Sequence, residues 1–294
     1  MYKIDGNTQV LGIIGNPVRH TMSPAIHHFL AERMGDNLAY LPFEVQNDIH
    51  VAVQGAYALG IAGMNVTVPY KSAIMEILTD LDDEAAKIGA VNTLVRTEHG
   101  FKGYNTDVIG LRYELRKAGV SVAGERVIIL GAGGAARAAA MMCVADGACE
   151  LYISNRNQEK AKALAKVVQN CFGGETSVGP IIQALGLEDL EHLYGNGYIA
   201  FQCTSVGLFP NIEEAVIESQ EFYGKLKCAV DLIYTPKQTR FMKLAEGAGA
   251  KTMNGSMMLI GQAIASYELW TGHTVLDKVV KELLEELTKK GLVG

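Results

Sequence analysis

No stretch of 18 consecutive apolar residues occurs in the 294-residue chain, so nothing in it predicts a membrane-spanning helix. A signal-peptide pattern is missing from the N-terminus as well. Cysteine is scarce: five residues, at 143, 149, 171, 203 and 228, with no C-x-x-C pair and an odd count. That usage fits a reducing cytosol better than a disulfide scaffold or a zinc site, so a cytoplasmic location without a metal is expected. Excess positive charge is lacking too. With 26 Lys and Arg against 32 Asp and Glu, the formal net charge is −6, which argues against nucleic-acid and anionic-membrane partners. Repeats and low-complexity tracts are absent. What remains, 49% hydrophobic and 20% charged, is an ordinary globular composition in a chain long enough for two domains.

The most informative stretch lies mid-chain. Val127–Leu130 is a short apolar run rich in β-branched residues, suited to a strand buried on both faces. It enters Gly131-Ala132-Gly133-Gly134-Ala135-Ala136, and an alanine-rich helix follows to about Ala145. Asp146-Gly147 ends that helix, and Leu151–Ser154 reads as the next strand. Strand, glycine turn, helix, strand is the context in which G-x-G-x-x-A becomes a dinucleotide fingerprint. Gly131 allows the tight turn, Gly133 lets a pyrophosphate approach the backbone, and small Ala136 lets helix pack on strand. The free N–H groups at the helix start face the phosphates, so Gly131, Ala132, Gly133, Gly134 and Ala135 are candidate cofactor residues. A plain glycine turn in a βαβ unit is the simpler alternative.

The following strand ends in Asn155-Arg156, where an NAD enzyme usually places an acid for the ribose 2′-hydroxyl. No carboxylate appears until Glu159. A guanidinium suits a 2′-phosphate, and Lys160, one turn on, can add charge, so NADP(H) is expected over NAD(H). Two solvated surface cations are the plain reading of the same pair.

Earlier in the chain, Val10–Gly15 reads as a buried strand followed by Asn16-Pro17. Ser23-Pro24 then marks a helix start, with Ser23 as N-cap and Pro24 at N1. Thr21 and Ser23 thus place two hydroxyls at a helix N-terminus, suited to a small carboxylate or simply to a cap. Tyr40–Val45, a helix over 48–59 and Gly63–Val68 continue a β-α-β alternation that predicts a parallel sheet. Pro69 suggests another helix start, which puts Lys71 where the helix dipole disfavours its charge, as a candidate proton donor. Ala90–Val95 is a further strand, and Gly103-Tyr104-Asn105-Thr106-Asp107 precedes a helix. Asn65, Lys71, Asn92, Asn105 and Asp107 therefore gather at strand ends, where open α/β sheets hold ligands. Ile199–Gln202, Cys228–Ile233 and Lys251–Met253 read as strands, 239–249 and 257–270 as helices. Residues 173–197 give no assignment. Val275, Val279, Val280, Leu283, Leu284 and Leu287 stripe a final amphipathic helix.

Several motifs together resemble the shikimate dehydrogenase family. They are Asn-Pro-x-x-His-x-x-Ser-Pro (16–24), Asn-Val-Thr-Val-Pro-x-Lys (65–71), Gly-Ala-Val-Asn-Thr (89–93) and Gly-x-Asn-Thr-Asp (103–107). Gly-Ala-Gly-Gly-Ala-Ala-Arg (131–137), Asn-Arg (155–156), Thr-Ser-Val-Gly (204–207) and Asp-Leu-Ile-Tyr-x-Pro-x-x-Thr (231–239) follow in order. Gly255, Met258, Leu259 and Gln262 match the last motif.

The resemblance implies an α/β protein of two domains: an open, mostly parallel α/β substrate domain and a Rossmann-like dinucleotide-binding domain. Residues 1–108, completed by C-terminal helices over 256–294, form the first; 109–255 form the second. It implies reversible NADPH-dependent reduction of 3-dehydroshikimate to shikimate, on a small-molecule substrate, by a monomer or homodimer. Lys71 is implied as the catalytic residue, paired with Asp107. Thr21 and Ser23 match the hydroxyls that hold the substrate carboxylate, Thr67, Asn92 and Gln262 match positions near the ring hydroxyls, and Tyr234 lies beside the carboxylate. Thr204 and Gly255 fall in motifs on the cofactor side. The chain departs from the family pattern at Thr21, where serine is usual, and at His28, Asn157 and Gln202-Cys203. The added methyl of Thr21 narrows the carboxylate pocket. A quinate/shikimate dehydrogenase is the nearest alternative, and a non-catalytic ligand sensor on the same fold a more distant one.

Overall fold

Strand-forming runs and amphipathic helices alternate along the chain and assemble into two six-stranded sheets in a computed structural model. Residues 4–19, 21–172 and 179–291 are described; His20 of the first motif and part of the unassigned 173–197 stretch lie outside them. The described residues as far as Gly110, with those from Leu259 onward, form one unit, and Leu111–Met258 form the other.

The first unit holds β1 (Gln9–Gly15), α1 (Ser23–Met34), β2 (Leu38–Glu44), α2 (Ile49–Ala58), β3 (Gly63–Val66), β4 (Asp80–Leu81), α3 (Asp83–Ile88), β5 (Thr93–Thr97) and β6 (Gly100–Tyr104). Strand order is β2-β1-β3-β5-β6-β4. β1 pairs parallel with β2 and β3, but β5 runs antiparallel to both β3 and β6. The expected parallel run of strands is therefore broken at its far side. Only Glu98 and His99 join β5 to β6, and two residues suffice for a hairpin but not for a parallel crossover. Ile14, Met64, Val66, Leu94 and Phe101 bury the face of this sheet against α2 residues Val53 and Ala56. The other face takes Trp270, whose Nε1 donates to the Leu94 carbonyl at 2.8 Å. A Cβ at Gly63 would lie 2.2 Å from that nitrogen, so the indole requires glycine beneath it.

Two local expectations are corrected here. Ser23 is not the N-cap of α1: Met22 holds that place with no side-chain cap bond, and Ser23 is the first helical residue. Its hydroxyl is engaged instead by Thr21 Oγ1, 3.1 Å away. Nor does Pro69 open an α-helix. Turns at 68–69 and 71–72 lead only to a short 3₁₀ segment, Ala73–Ile77, so Lys71 sits in a loop after β3.

α4 (Asp107–Ala118) leads into the second unit, which contains β7 (Arg126–Leu130), α5 (Gly134–Ala145), β8 (Glu150–Ser154), α6 (Gln158–Phe172), β9 (Ile181–Leu185), β10 (Tyr198–Gln202), α7 (Gln220–Gly224), β11 (Leu226–Asp231), α8 (Arg240–Gly247) and β12 (Lys251–Asn254). All six strands are parallel, in the order β9-β8-β7-β10-β11-β12. The order reverses between β7 and β10, the kind of point at which open α/β sheets hold ligands. β7 is wholly buried from Val127 to Leu130, and the small residues Ala136, Ala138, Ala139 and Ala140 let α5 lie close on it. β9 fills the stretch that gave no assignment. As an edge strand it leaves Ile181 48% exposed, which blurs its pattern.

α9 (Ser256–Thr271) and α10 (Asp277–Lys289) end the chain. In α10 the predicted stripe buries Val280, Leu283 and Leu287, and Arg33 of α1 pairs with Glu282 at 2.8 Å. Among the described residues no helix is long and apolar enough to cross a membrane, and no cluster of His, Cys, Asp and Glu could hold a metal.

Candidate active site

The loop after β3 carries Lys71, and the first residue of α4 is Asp107. Lys71 Nζ donates to Asp107 Oδ2 at 2.6 Å, with side chains 17% and 5% exposed. The second carboxylate oxygen accepts from Asn92 Nδ2 at 2.8 Å. Asn92 stands just before β5, and its Oδ1 accepts from the Thr106 backbone N–H at 2.7 Å. The carboxylate is thus held on both oxygens by charged or amide N–H donors. Such a buried carboxylate persists only with its bonds satisfied, as both of its oxygens are here.

Asn105, which the polar cluster included, serves the loop instead. Its Nδ2 donates to the Ala90 carbonyl at 2.9 Å and its Oδ1 accepts from Asp107 N. Asn65 is more central: its amide nitrogen reaches Thr93 Oγ1 at 3.1 Å and Ser266 Oγ at 3.0 Å. Its oxygen accepts from Tyr40 OH at 2.6 Å. Tyr40 in turn lies against Ser23, and burial raises its pKa well above the phenol range. His27 stacks on Tyr40, ring centroids 4.2 Å apart, and burial pushes its imidazole down to about 3, so it stays neutral. Thr67 is half-buried against Gly15, where a Cβ would fall 2.3 Å from its methyl. Gln262 of α9 donates to the Leu259 carbonyl at 3.0 Å. One unit therefore gathers Thr21, Ser23, Thr67, Lys71, Asn92, Asp107 and Gln262. Sequence reasoning passed over Tyr40, Thr93, Thr106 and Ser266. Ser266 sits inside an apolar helix, and no local pattern marks it.

The second unit shows a different kind of site. Gly131 adopts φ +124°, and a Cβ there would approach Cys203 C and O and Thr204 Cγ2, each at 3.3 Å. Only glycine turns so tightly there without strain. Gly133 caps α5, and a Cβ at it would meet nothing within 4 Å, so its backbone is open to a ligand. Ala132, Gly133, Asn155, Arg156, Asn157 and Lys160 line a pocket of about 220 Å³. Arg156 and Lys160 are exposed, and among the described residues neither pairs with an acid. Glu159, the first carboxylate to follow in the sequence, pairs instead with Lys162 at 2.9 Å. Open backbone N–H groups and two unpaired cations fit a phosphate-bearing dinucleotide.

Across the reversal, Gln202 Oε1 accepts from Thr204 N at 2.6 Å and Thr204 Oγ1 accepts from Val206 N at 3.1 Å. The departure Gln202-Cys203 thus shapes the Thr204 loop from below. Asp231 is held by Thr239 Oγ1 at 2.5 Å and Ile233 N at 3.0 Å, which accounts for the 231–239 motif as a structural one. Burial raises Asp231 to about 6. Gly255 is a packing glycine, since a Cβ would fall 2.3 Å from the Leu232 carbonyl oxygen. Tyr234 belongs to this unit, its hydroxyl pKa raised by burial.

A parallel sheet reversing at a glycine turn, joined in one chain to a unit with a buried lysine–carboxylate pair, defines a dinucleotide-dependent α/β oxidoreductase. Known proteins narrow that class. Residues 13–94 match the shikimate dehydrogenase substrate binding domain, 114–222 the shikimate/quinate 5-dehydrogenase family and 255–285 the shikimate 5′-dehydrogenase C-terminal domain. Shikimate dehydrogenase (NADP(+)) of Desulforamulus reducens is 38% identical, covering 98% of this chain and 99% of that one. A shikimate dehydrogenase solved in complex with NADP+ is 36% identical with a TM-score of 0.87, over 99% and 98% of the two chains. Shikimate 5-dehydrogenase from Listeria monocytogenes, in complex with shikimate and NAD, is 31% identical with a TM-score of 0.85, over 97% and 99%. The chain belongs to the shikimate dehydrogenase family.

Proposed function

We propose that the protein catalyses the reversible NADPH-dependent reduction of 3-dehydroshikimate to shikimate, with Lys71 as general acid and base. The observation that carries this reading is the 2.6 Å Lys71–Asp107 pair at strand ends, in a chain that also holds an open glycine turn with unpaired cations. Residues 1–108 with 256–294 bind the substrate, and 109–255 bind NADP(H). Gly131, Ala132, Gly133, Gly134 and Ala135 would cradle the pyrophosphate, with Asn155, Arg156 and Lys160 at the 2′-phosphate and Thr204 and Gly255 on the crossing side. When bound, the reduced nicotinamide supplies the hydride that converts the substrate carbonyl to an alcohol.

The chain's own residues manage the charge that develops. As the carbonyl oxygen becomes negative, Lys71 Nζ donates its proton to that oxygen and stabilises the charge before transfer. Asp107 accepts from the ammonium at 2.6 Å and orients it, and a proton from solvent restores the lysine for the next turn. In the oxidative direction Lys71 takes the proton from the shikimate hydroxyl. Thr21 and Ser23 donate to the substrate carboxylate, with Tyr234 beside it, while Thr67, Asn92 and Gln262 face the ring hydroxyls. The enzyme works in the cytoplasm as a monomer or homodimer.

The test is a steady-state assay with shikimate and quinate, each with NADP and with NAD. Turnover of shikimate with NADP at the highest kcat/KM is expected. Higher kcat/KM with quinate would assign the broader quinate/shikimate activity, and no turnover of either would favour a sensor on this fold.

A further inference from the structure

A ring of three buried hydroxyls lies behind the acid–base pair, supplied by β5, the residue before α4, and α9. Thr93 Oγ1, Thr106 Oγ1 and Ser266 Oγ are 2.9 to 3.2 Å from one another, and all three residues are at most 1% exposed. We propose that Thr106 and Ser266 are positioning residues that fix the Lys71–Asp107 pair through the amide of Asn92, an inference that rests on the acid–base reading of that pair.

The argument starts from which way the Asn92 amide faces. A backbone N–H only donates, so the amide atom 2.7 Å from Thr106 N is the oxygen. The nitrogen then faces Asp107 Oδ1, at 2.8 Å. Thr106 Oγ1 accepts from the same nitrogen at 3.0 Å, so both amide hydrogens are committed. Thr93 Oγ1 adds a second anchor on Asn92 Oδ1, at 3.0 Å.

The ring is closed from the other side. Ser266 Oγ donates to the Gln262 carbonyl at 2.9 Å and accepts from Asn65 Nδ2 at 3.0 Å. It therefore offers a lone pair to the Thr106 hydroxyl, which turns the oxygen of Thr106 toward Asn92. Asn65 links onward to Tyr40 and Tyr40 to Ser23, so the hydroxyls that hold the substrate carboxylate and the pair that moves the proton share one buried network. Every member is both donor and acceptor or saturated. Such networks hold a single geometry, and a displacement of about 1 Å at a catalytic group costs up to ~10²-fold in rate.

Thr106→Val swaps one hydroxyl for a methyl of similar size and keeps the backbone N–H on Asn92. Thr106→Ser keeps the hydroxyl, and Ser266→Ala empties the far side of the ring without adding bulk. Steady-state kinetics with shikimate and NADP are read on all three. Thr106→Val should lower kcat roughly ten- to hundredfold with KM for shikimate moving less than about threefold, since the loss falls on the transition state. Thr106→Ser should recover most of kcat, and Ser266→Ala should fall between. A second readout needs no turnover: acetylation of Lys71 by acetic anhydride, followed by peptide mass spectrometry against Lys102, which pairs with Asp80 on the surface. Lys71 labelling should rise in Thr106→Val and Ser266→Ala as the carboxylate loosens its hold on the ammonium. Unchanged kcat and unchanged labelling in both variants, with only a lowered Tm, would overturn the proposal. Should the unaltered protein turn over neither shikimate nor quinate, the functional reading falls while the labelling arm still decides the positioning.

Discussion

The surroundings of Lys71 and of Arg156 are built on opposite plans. Around Lys71 the polar atoms already have partners: Asn92, Thr93, Thr106 and Ser266 are buried and bonded to one another. Around Arg156 the side chains are exposed, the cations have no acidic partner among the described residues, and a Cβ at Gly133 would meet nothing within 4 Å. On the proposed function, the difference follows from what each place must do. Proton transfer needs a geometry set before substrate arrives, and burying a satisfied network supplies it. A cofactor that binds and leaves each cycle needs donors that are unsatisfied until it arrives. The chain's net charge of −6 makes the second plan a local one, two cations set against an acidic whole.

The sharpest way to break that comparison is to remove the group the network serves. Lys71→Ala should lower kcat by roughly 10²–10⁴-fold, the usual loss for a general acid, at saturating concentrations of both substrates. Near-normal turnover in that variant would show that the saturated network serves structure alone.

Smaller effects are expected where contacts bind rather than react. Arg156→Ala should cut the preference for NADP over NAD about ten- to hundredfold, since a charged hydrogen bond is worth about 1.5–3 kcal/mol. The exposed clamp is screened by salt, so the preference of the unaltered enzyme should fall between low and high ionic strength. Equal use of both cofactors before mutation would remove the clamp altogether. Ser23→Ala tests the buried side at similar size: loss of a bond to the substrate carboxylate should raise KM for shikimate by the equivalent of about 1.5–3 kcal/mol. Because Met22 and not Ser23 caps α1, no helix-cap bond is lost with it. A fall in Tm with an unchanged KM would speak against the binding role.

How much of this was legible in the sequence depended on how local each signal was. The glycine turn, its flanking strands and α5 were readable almost to the residue, because one continuous stretch holds every part. Lys71 and Asp107 stood out as polar residues at strand ends, though their 2.6 Å contact joins positions 36 apart. The hydroxyl ring was not legible, since Ser266 meets Asn65 across 201 residues and nothing near it differs from an ordinary apolar helix. Ser23-Pro24 misled as a cap because proline tolerates the second helical position as well as the first, and the Ser23 hydroxyl is engaged by Thr21, two residues before it, and not by the helix backbone. The antiparallel turn at β5 was hidden for a similar reason. Alternation predicts strands, while pairing direction depends on the length of the connection.

The smallest effect concerns stability and separates the two plans without any assay of activity. His27 is fully buried and its pKa is pushed down to about 3, chiefly by burial, from an ordinary 6.5. Between those values the unfolded chain binds a proton that the folded chain refuses, so stability rises with pH across the window and is lost as pH falls below about 6.5. The slope for one such group is at most about 1.4 kcal/mol per pH unit. Two carboxylates act in the opposite sense. Burial raises Glu114, whose carboxylate accepts from Met258 N at 2.9 Å, to about 8 and Asp231 to about 6, so each takes up its proton on folding and costs stability as pH rises toward those values. The net curve of the whole protein therefore hides the histidine, and a difference reveals it. His27→Phe keeps an aromatic ring against Tyr40 and removes the titration, so denaturant midpoints of the two proteins, measured at pH 7 and pH 5, should diverge in favour of the variant at pH 5. Arg156→Ala, on the exposed plan, should show no such divergence. Parallel curves for His27→Phe and the unaltered protein would mean that the folded state admits a proton to His27, and that the aromatic floor beneath the hydroxyl network is open to water.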